Sequence, residues 1–219
     1  MARLVFEKKG KSIWISHLDL MRLFQRAFKR AGLPLKHTQG FNPRPSVSIA
    51  LPLSVGVESS CELLDFDLEC DITKEDNLQD RINSSLVDGV KVLDVYLEGQ
   101  KIKDLTLMHS EIILMYDNGA KDESVAAINN LLSTKTLLVM KKTKNGLQEQ
   151  DIIPMIRRFS VKKTGEKQIT IELLHCCQNP TLNPMQIPAA IKLYLQDHVP
   201  DFCKCYRIEI YNNMEKVFR

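Results

Sequence analysis

The sequence predicts an α+β chain built from two ferredoxin-like units, each a split βαβ arrangement on an antiparallel sheet, related by divergent duplication. Two observations predict it. A succession of strand, helix, two strands, helix and strand over residues 1–100 is followed by a less regular version of the same order over 107–219. The 219 residues are 44% hydrophobic and 26% charged, an ordinary globular composition on a chain long enough to bury real cores.

The first unit opens with two short strand patterns, Leu4 to Glu7 and Ser12 to Ile15, around a Lys-Lys-Gly-Lys turn. Ser16 with Asp19 three residues later has the capping-box pattern of a helix start. Leu20, Phe24, Ala27, Phe28 and Ala31 recur at helical spacing and form a stripe to be buried. Gly32 offers a left-handed stop, and Pro34 prevents continuation. Apolar strands follow over Ser46 to Leu53 and Glu62 to Cys70. Thr73 then caps a helix reaching about Leu86, and Gly89 precedes a strand from Val90 to Leu97.

Lys101 to Thr106 reads as a short linker. The second unit has a strand over Ser110 to Tyr116, a helix over Glu123 to Leu132 and a strand over Thr136 to Lys142. Strands Ile156 to Lys162 and Gln168 to His175 flank a hairpin turn at Lys163-Thr164-Gly165-Glu166. A helix from Met185 to Gln196 and a strand from Phe202 to Tyr211 close the pattern, with one strand in excess of the first unit.

Charge is unevenly placed. The first 45 residues hold ten lysines and arginines against Glu7 and Asp19, a local net charge of +8; since the whole chain carries +3, residues 46–219 carry −5. A field this lopsided points to a polyanion or an acidic protein surface as partner. No apolar run approaches the roughly 20 residues that span a bilayer, and the amino terminus has no secretory pattern, so a cytoplasmic protein without a membrane partner is expected. The six cysteines are then read as buried thiols. Cys176-Cys177 and Cys203-x-Cys205 lack the spacing of structural zinc or iron–sulfur ligands, so no metal is expected.

Two stretches carry the candidate site. On the first helix, Arg22, Arg26, Lys29 and Arg30 fall on the solvent side with no acid among them after Asp19, which suits phosphate contacts. In the loop Lys36 to Pro45, Gly40, Pro43 and Pro45 restrict the backbone. Lys36, His37, Gln39, Asn42 and Arg44 are displayed there as phosphate-holding and base-reading groups, while Phe41 is expected in the core. His17 and His37 are the only candidates for acid–base catalysis; Asp19 near His17 could assist it, but Asp19 is already accounted for by capping the helix. His109, His175 and His198 are read as structural or surface residues.

Ser16-His17-Leu18-Asp19-Leu20-Met21-Arg22, Gln39-Gly40-Phe41-Asn42-Pro43-Arg44-Pro45 and the following Ala50 to Ser59 resemble the bacterial radical-SAM-linked protein family. That family is a domain of unknown function found beside, or fused to, a radical SAM protein. The resemblance implies a radical SAM protein as partner and supplies no catalytic residues. The chain departs from the family at Arg44, where the family often has His, and it lacks a Cys-x3-Cys-x2-Cys cluster motif. The iron–sulfur cluster and S-adenosylmethionine are therefore expected on the partner and not on this chain.

Together these features lead to a non-catalytic accessory module of a radical SAM enzyme that binds RNA through its basic first unit. Two alternatives stand beside it: an RNA-processing or RNA-modifying enzyme using His17 or His37, and a pure protein–protein docking module.

Overall fold

A computed structural model describes residues 1–143 and 146–219. The chain is α+β, with mostly antiparallel strands and few helices. It divides into two compact units, Met1–Asp104 with Val217–Arg219, and Leu105–Lys216. The boundary between them falls at 104/105, and the last three residues group with the first unit. Phe218 is fully buried there beneath the Arg3 guanidinium, which lies 5.3 Å from its ring centre, and Gln100 donates its backbone N–H to Arg219 O. Among the described residues, no helix is long and apolar enough to cross a membrane.

In the first unit β1 (Ala2–Lys8) lies between β3 (Glu58–Phe66) and β4 (Val90–Tyr96), and β2 (Val47–Ile49) pairs the outer edge of β3. The order is β4-β1-β3-β2 and every pair is antiparallel. Helix α1 (His17–Arg30) covers one face. Its stripe Leu20, Phe24, Ala27 and Phe28 is buried, with Phe24 edge-on to Phe6 at 4.7 Å and Phe28 against Phe66 at 4.8 Å. Edge-to-face rings at such distances add to what burial alone contributes.

Four expectations for this unit need correction. Ser12 to Ile15 is no strand: Gly10–Trp14 forms a 3₁₀ turn, held because the buried Lys8 ammonium donates to Ile13 O and Ile15 O while Ser12 Oγ donates to Asp88 O. The strand expected from Ser46 to Leu53 shrinks to three residues, because Leu51 takes a positive φ of 47° that ends the pleat. The next strand begins at Glu58 and ends at Phe66, four residues short of Cys70. The helix expected from Thr73 is a short 3₁₀ turn, Ile72–Lys74, capped by Asp71, followed by a separate α2 (Leu78–Asn83) entered through Asn77 at φ 54°.

In the second unit β5 (Leu105–Met115) lies between β9 (Gln168–Cys176) and β10 (Phe202–Asn212), with β8 (Ile156–Gly165) outside β9. The order is β10-β5-β9-β8, again antiparallel throughout. Helices α3 (Asp122–Leu132) and α4 (Gln186–Tyr194) bury Ile128, Leu132, Ile187 and Ile191 against Ile112, Leu114, Ile169 and Ile171. The excess strand is half of a separate hairpin, β6 (Leu138–Thr143) with β7 (Gly146–Asp151), to which α4 is tied by Tyr194 Oη donating to Leu138 O at 2.9 Å. His175 and His198 are structural here, each with a partner the sequence did not show. His175 Nε2 is 3.0 Å from Ser110 Oγ, and His198 Nδ1 is 2.9 Å from Ser124 Oγ. Burial lifts the thiols of Cys203 and Cys205 to about 11 and that of Cys177 to about 12, so all three stay protonated near neutrality.

Candidate nucleic-acid interface

Helix α1 begins as its sequence requires. Ser16 Oγ accepts from the Asp19 N–H at 3.3 Å and donates to Asp19 Oδ2 at 2.7 Å. Asp19 also takes a hydrogen bond from Arg22 at 3.1 Å, and the Ser16 and Arg22 contacts together hold its carboxyl below the usual range. Arg22 is therefore ion-paired on the helix, contrary to the expectation that the stripe is unlaced. The pair is exposed at both ends, so it limits Arg22 only weakly.

The helix ends in a Schellman arrangement: Leu33 N–H reaches Phe28 O at 2.9 Å and Gly32 N–H reaches Lys29 O at 3.2 Å. Leu33 is thereby driven into the core while Pro34 leads the chain away. Arg81, from α2, donates to Ala31 O and pairs with Glu75, covering the helix end. Arg30 donates to Ser85 O at 2.8 Å, which turns it toward the α2 side.

Residues 36–46 then form a narrow hairpin arm. Lys36 N–H donates to Asp67 O, Ser46 N–H to Lys36 O and Thr38 N–H to Arg44 O, so the arm is rooted on the continuation of β3. Gly40 sits at the tip with φ 135°; no neighbour lies within 4 Å of where its Cβ would be, so backbone conformation and not space demands glycine. Phe41, expected in the core, is 101% exposed on this tip, with exposed Gln39 and Asn42 beside it. The ladder projects the tip beyond the apolar interior, so no buried surface is within its reach.

A cleft of ≈ 540 Å³ opens between the carboxyl half of α1 and this arm. Arg26 and Lys29 line one wall and His37 with Pro45 the other. Leu33, Pro34 and Leu35 contribute to the lining, together with Gln25 and Glu69. The side chains of Arg26, Lys29 and His37 have no hydrogen-bond or ion-pair partner among the described residues. Alternation along the arm places Lys36, Thr38 and Arg44 on the face opposite His37 and Pro45. Of the expected residues, the structure thus gathers Arg26, Lys29 and His37 at the cleft and leaves Lys36 and Arg44 exposed on the arm's other face. Arg22 lies one turn above Arg26.

His17 and His37 do not form a pair. His17 opens α1, whereas His37 lies on the arm and lines the cleft with Arg26 and Lys29. His17 Nδ1 is buried without a hydrogen-bond partner.

Sequence reasoning missed Gln25 and Glu69, which carried no signal beyond polarity, and Trp14, 68% exposed just before α1, with Leu18 67% exposed in its first turn. It also placed Phe41 wrongly, although the residue has no apolar neighbour at strand or helix spacing and is flanked by Gly40 and Asn42-Pro43.

Among solved structures the chain is similar to one chain in the crystal structure of a Cbf5-Nop10-Gar1 complex, with a TM-score of 0.51 at 6% sequence identity over 95% of this chain and 48% of that one. The likeness is one of fold, and the chain spans about half the length of that relative. No curated protein matches it. Residues 2–184, however, match a family described as uncharacterized protein conserved in bacteria, and on that match the chain belongs to the family DUF2344.

Proposed function

We propose that this chain is a non-catalytic, cytoplasmic accessory protein that binds single-stranded RNA on the α1 face of its first unit. One observation carries the reading: unpaired Arg26, Lys29 and His37 converge on a cleft beside a stiffened arm whose tip displays a fully exposed Phe41. Cations over a groove and an aromatic platform at its edge are the two ingredients of single-strand binding. A duplex would present phosphates but no free base face to Phe41.

Each unit reads as a ferredoxin-like variant. The orders β4-β1-β3-β2 and β10-β5-β9-β8 support a duplicated 4-1-3-2 arrangement, with the β6–β7 hairpin inserted in the second copy. A radical SAM enzyme as the protein served rests on the residue motifs of the first unit alone. Exposed Trp14 and Leu18, at the end of α1 away from the cleft, favour a protein-docking surface for that partner.

The test is binding of an unstructured oligonucleotide against a duplex of equal length, by fluorescence anisotropy. The single strand should bind at least tenfold tighter, and Phe41→Ala should remove most of that preference, since stacking is worth about 1–3 kcal/mol per base. Because Phe41 is fully exposed, its loss should leave the melting temperature unchanged. Equal affinity for both forms, or an unaffected Phe41→Ala, would contradict the proposal.

A further inference from the structure

The cleft asks for more than a phosphate track. At ≈ 540 Å³ it is far larger than an inorganic anion needs and within the range of small-molecule sites. Its lining also includes one acidic residue. Glu69 shares the lining with Arg26 and Lys29, yet no ion pair within 4 Å joins it to either among the described residues. A carboxylate there weakens the cleft's attraction for any plain polyanion, so its presence fits a ligand that brings both a negative group and N–H donors. Its backbone is fixed, because Glu69 N–H donates to Pro34 O at 2.9 Å beside the Leu35–Leu68 bridge. Of the apolar lining residues, Pro34 is exposed and offers a flat face to a ring, with Leu33 and Leu35 buried behind it.

We infer that this cleft is a pocket for one phosphorylated guanine nucleotide, its phosphate on Arg26, Lys29 and His37 and its Watson–Crick edge on Glu69. Among the four RNA bases only guanine turns two adjacent N–H groups, N1–H and the N2 amino, toward a carboxylate. Adenine and cytosine offer one amino group beside a ring nitrogen whose lone pair repels the carboxylate, and uracil offers one N–H between two carbonyls. A base that turns a lone pair toward the carboxylate is repelled, which makes Glu69 the specificity-determining residue. The inference rests on the RNA-binding reading for the source of the nucleotide, while the pocket chemistry is the same for a free nucleotide and for the end of a strand.

Calorimetric titration of the full chain with GMP, AMP, CMP, UMP and unphosphorylated guanosine tests it. GMP should bind at least tenfold tighter than each of the others. Glu69→Gln should bring GMP and AMP to within about threefold of each other, whereas Arg26→Ala should weaken GMP toward the affinity of guanosine. Both residues lie at the surface, and unchanged circular dichroism and melting will establish that the variants fold. Equal binding of GMP and AMP, or a guanine preference that survives Glu69→Gln, would overturn the inference. Competition distinguishes the sources: displacement of GMP by a 5′- or 3′-phosphorylated oligonucleotide ending in G, but not by its unphosphorylated form, assigns the pocket to a strand end. GMP binding without such displacement keeps the pocket and assigns it to the free nucleotide, removing its link to RNA. RNA binding with no mononucleotide binding at millimolar concentration overturns the pocket alone.

Discussion

His175 and Phe41 show how differently single residues behave under the same elementary rules. His175 is 1% exposed, and burial, joined by Arg207 and His109, pushes its pKa down to about 4 despite the Cys176 carbonyl that favours the proton. The unfolded chain takes up a proton on this ring near its ordinary value of 6.5, the folded chain only near 4. Stability from neutral His175 is therefore complete above pH 6.5, declines as pH falls toward 4, and changes no further below that. The shift corresponds to about 3 kcal/mol. Urea unfolding between pH 7 and 4 should show a falling midpoint, and His175→Asn, which does not titrate, should flatten that part of the profile. An unchanged slope in the variant would place the titration elsewhere. Phe41 lies at the other extreme, since it has nothing to bury against and its whole ring is available to a ligand. The sequence left His175 as structural or surface without its partner, and the polar, glycine- and proline-flanked setting of Phe41 was overridden by its apolar ring. A buried histidine is revealed by its partner across two strands, here Ser110, and an exposed phenylalanine by the arm that carries it outward.

Elements were legible where local chemistry and burial agreed. Helix α1 was: its cap, its apolar stripe and its glycine stop all act within one segment, and the structure starts and ends it within a residue of the expected bounds. The strands β8, β9 and β10 were legible for the same reason, each combining an apolar run with a turn signal, whereas β5 begins five residues before the expected Ser110, inside the expected linker. The strand β7 was not, because Gly-Leu-Gln-Glu-Gln-Asp is polar and largely exposed and is held by pairing with β6. The 36–46 arm was read correctly as restricted but not as a ladder, since its pairing with the end of β3 depends on residues 30 positions away. Gly89 illustrates a long-range demand of this kind. Its φ is 80°, and a Cβ there would press into Lys9 O and Ser12 of the 3₁₀ turn. The backbone bond from Lys9 N–H to Gly89 O at 2.7 Å fixes the same junction. Gly89→Ala should cost about 2–3 kcal/mol through strain and displacement of that turn. Chemical denaturation should record a lower midpoint with an unchanged slope; a loss below about 0.5 kcal/mol would mean that the turn yields freely.

At the scale of the molecule, the sequence located the charge and the structure shows which cations are paired. The ten cations of the first 45 residues are not spent alike. Arg3 forms a two-pronged pair with Asp65, Lys8 is buried beneath the 3₁₀ turn, Lys9 pairs with Glu7, and Arg22 pairs with Asp19. Arg26, Lys29, Lys36 and Arg44 are exposed and make no ion pair among the described residues, and these are the charges that a polyanion would engage. The candidate site was therefore legible as a region and only partly as a set of residues, because pairing and strand alternation divided a list that helical spacing alone had treated as one patch. The most direct measurement is the salt dependence of binding to an unstructured oligonucleotide, for the full chain and for Arg26→Ala/Lys29→Ala together. With three or four phosphates neutralised, log affinity should fall with log salt concentration at a slope of about −2 to −3, and the double variant should flatten that slope by about 1.4. Binding that ignores salt, or a double variant with the parent's slope and affinity, would contradict the assignment of this face to RNA.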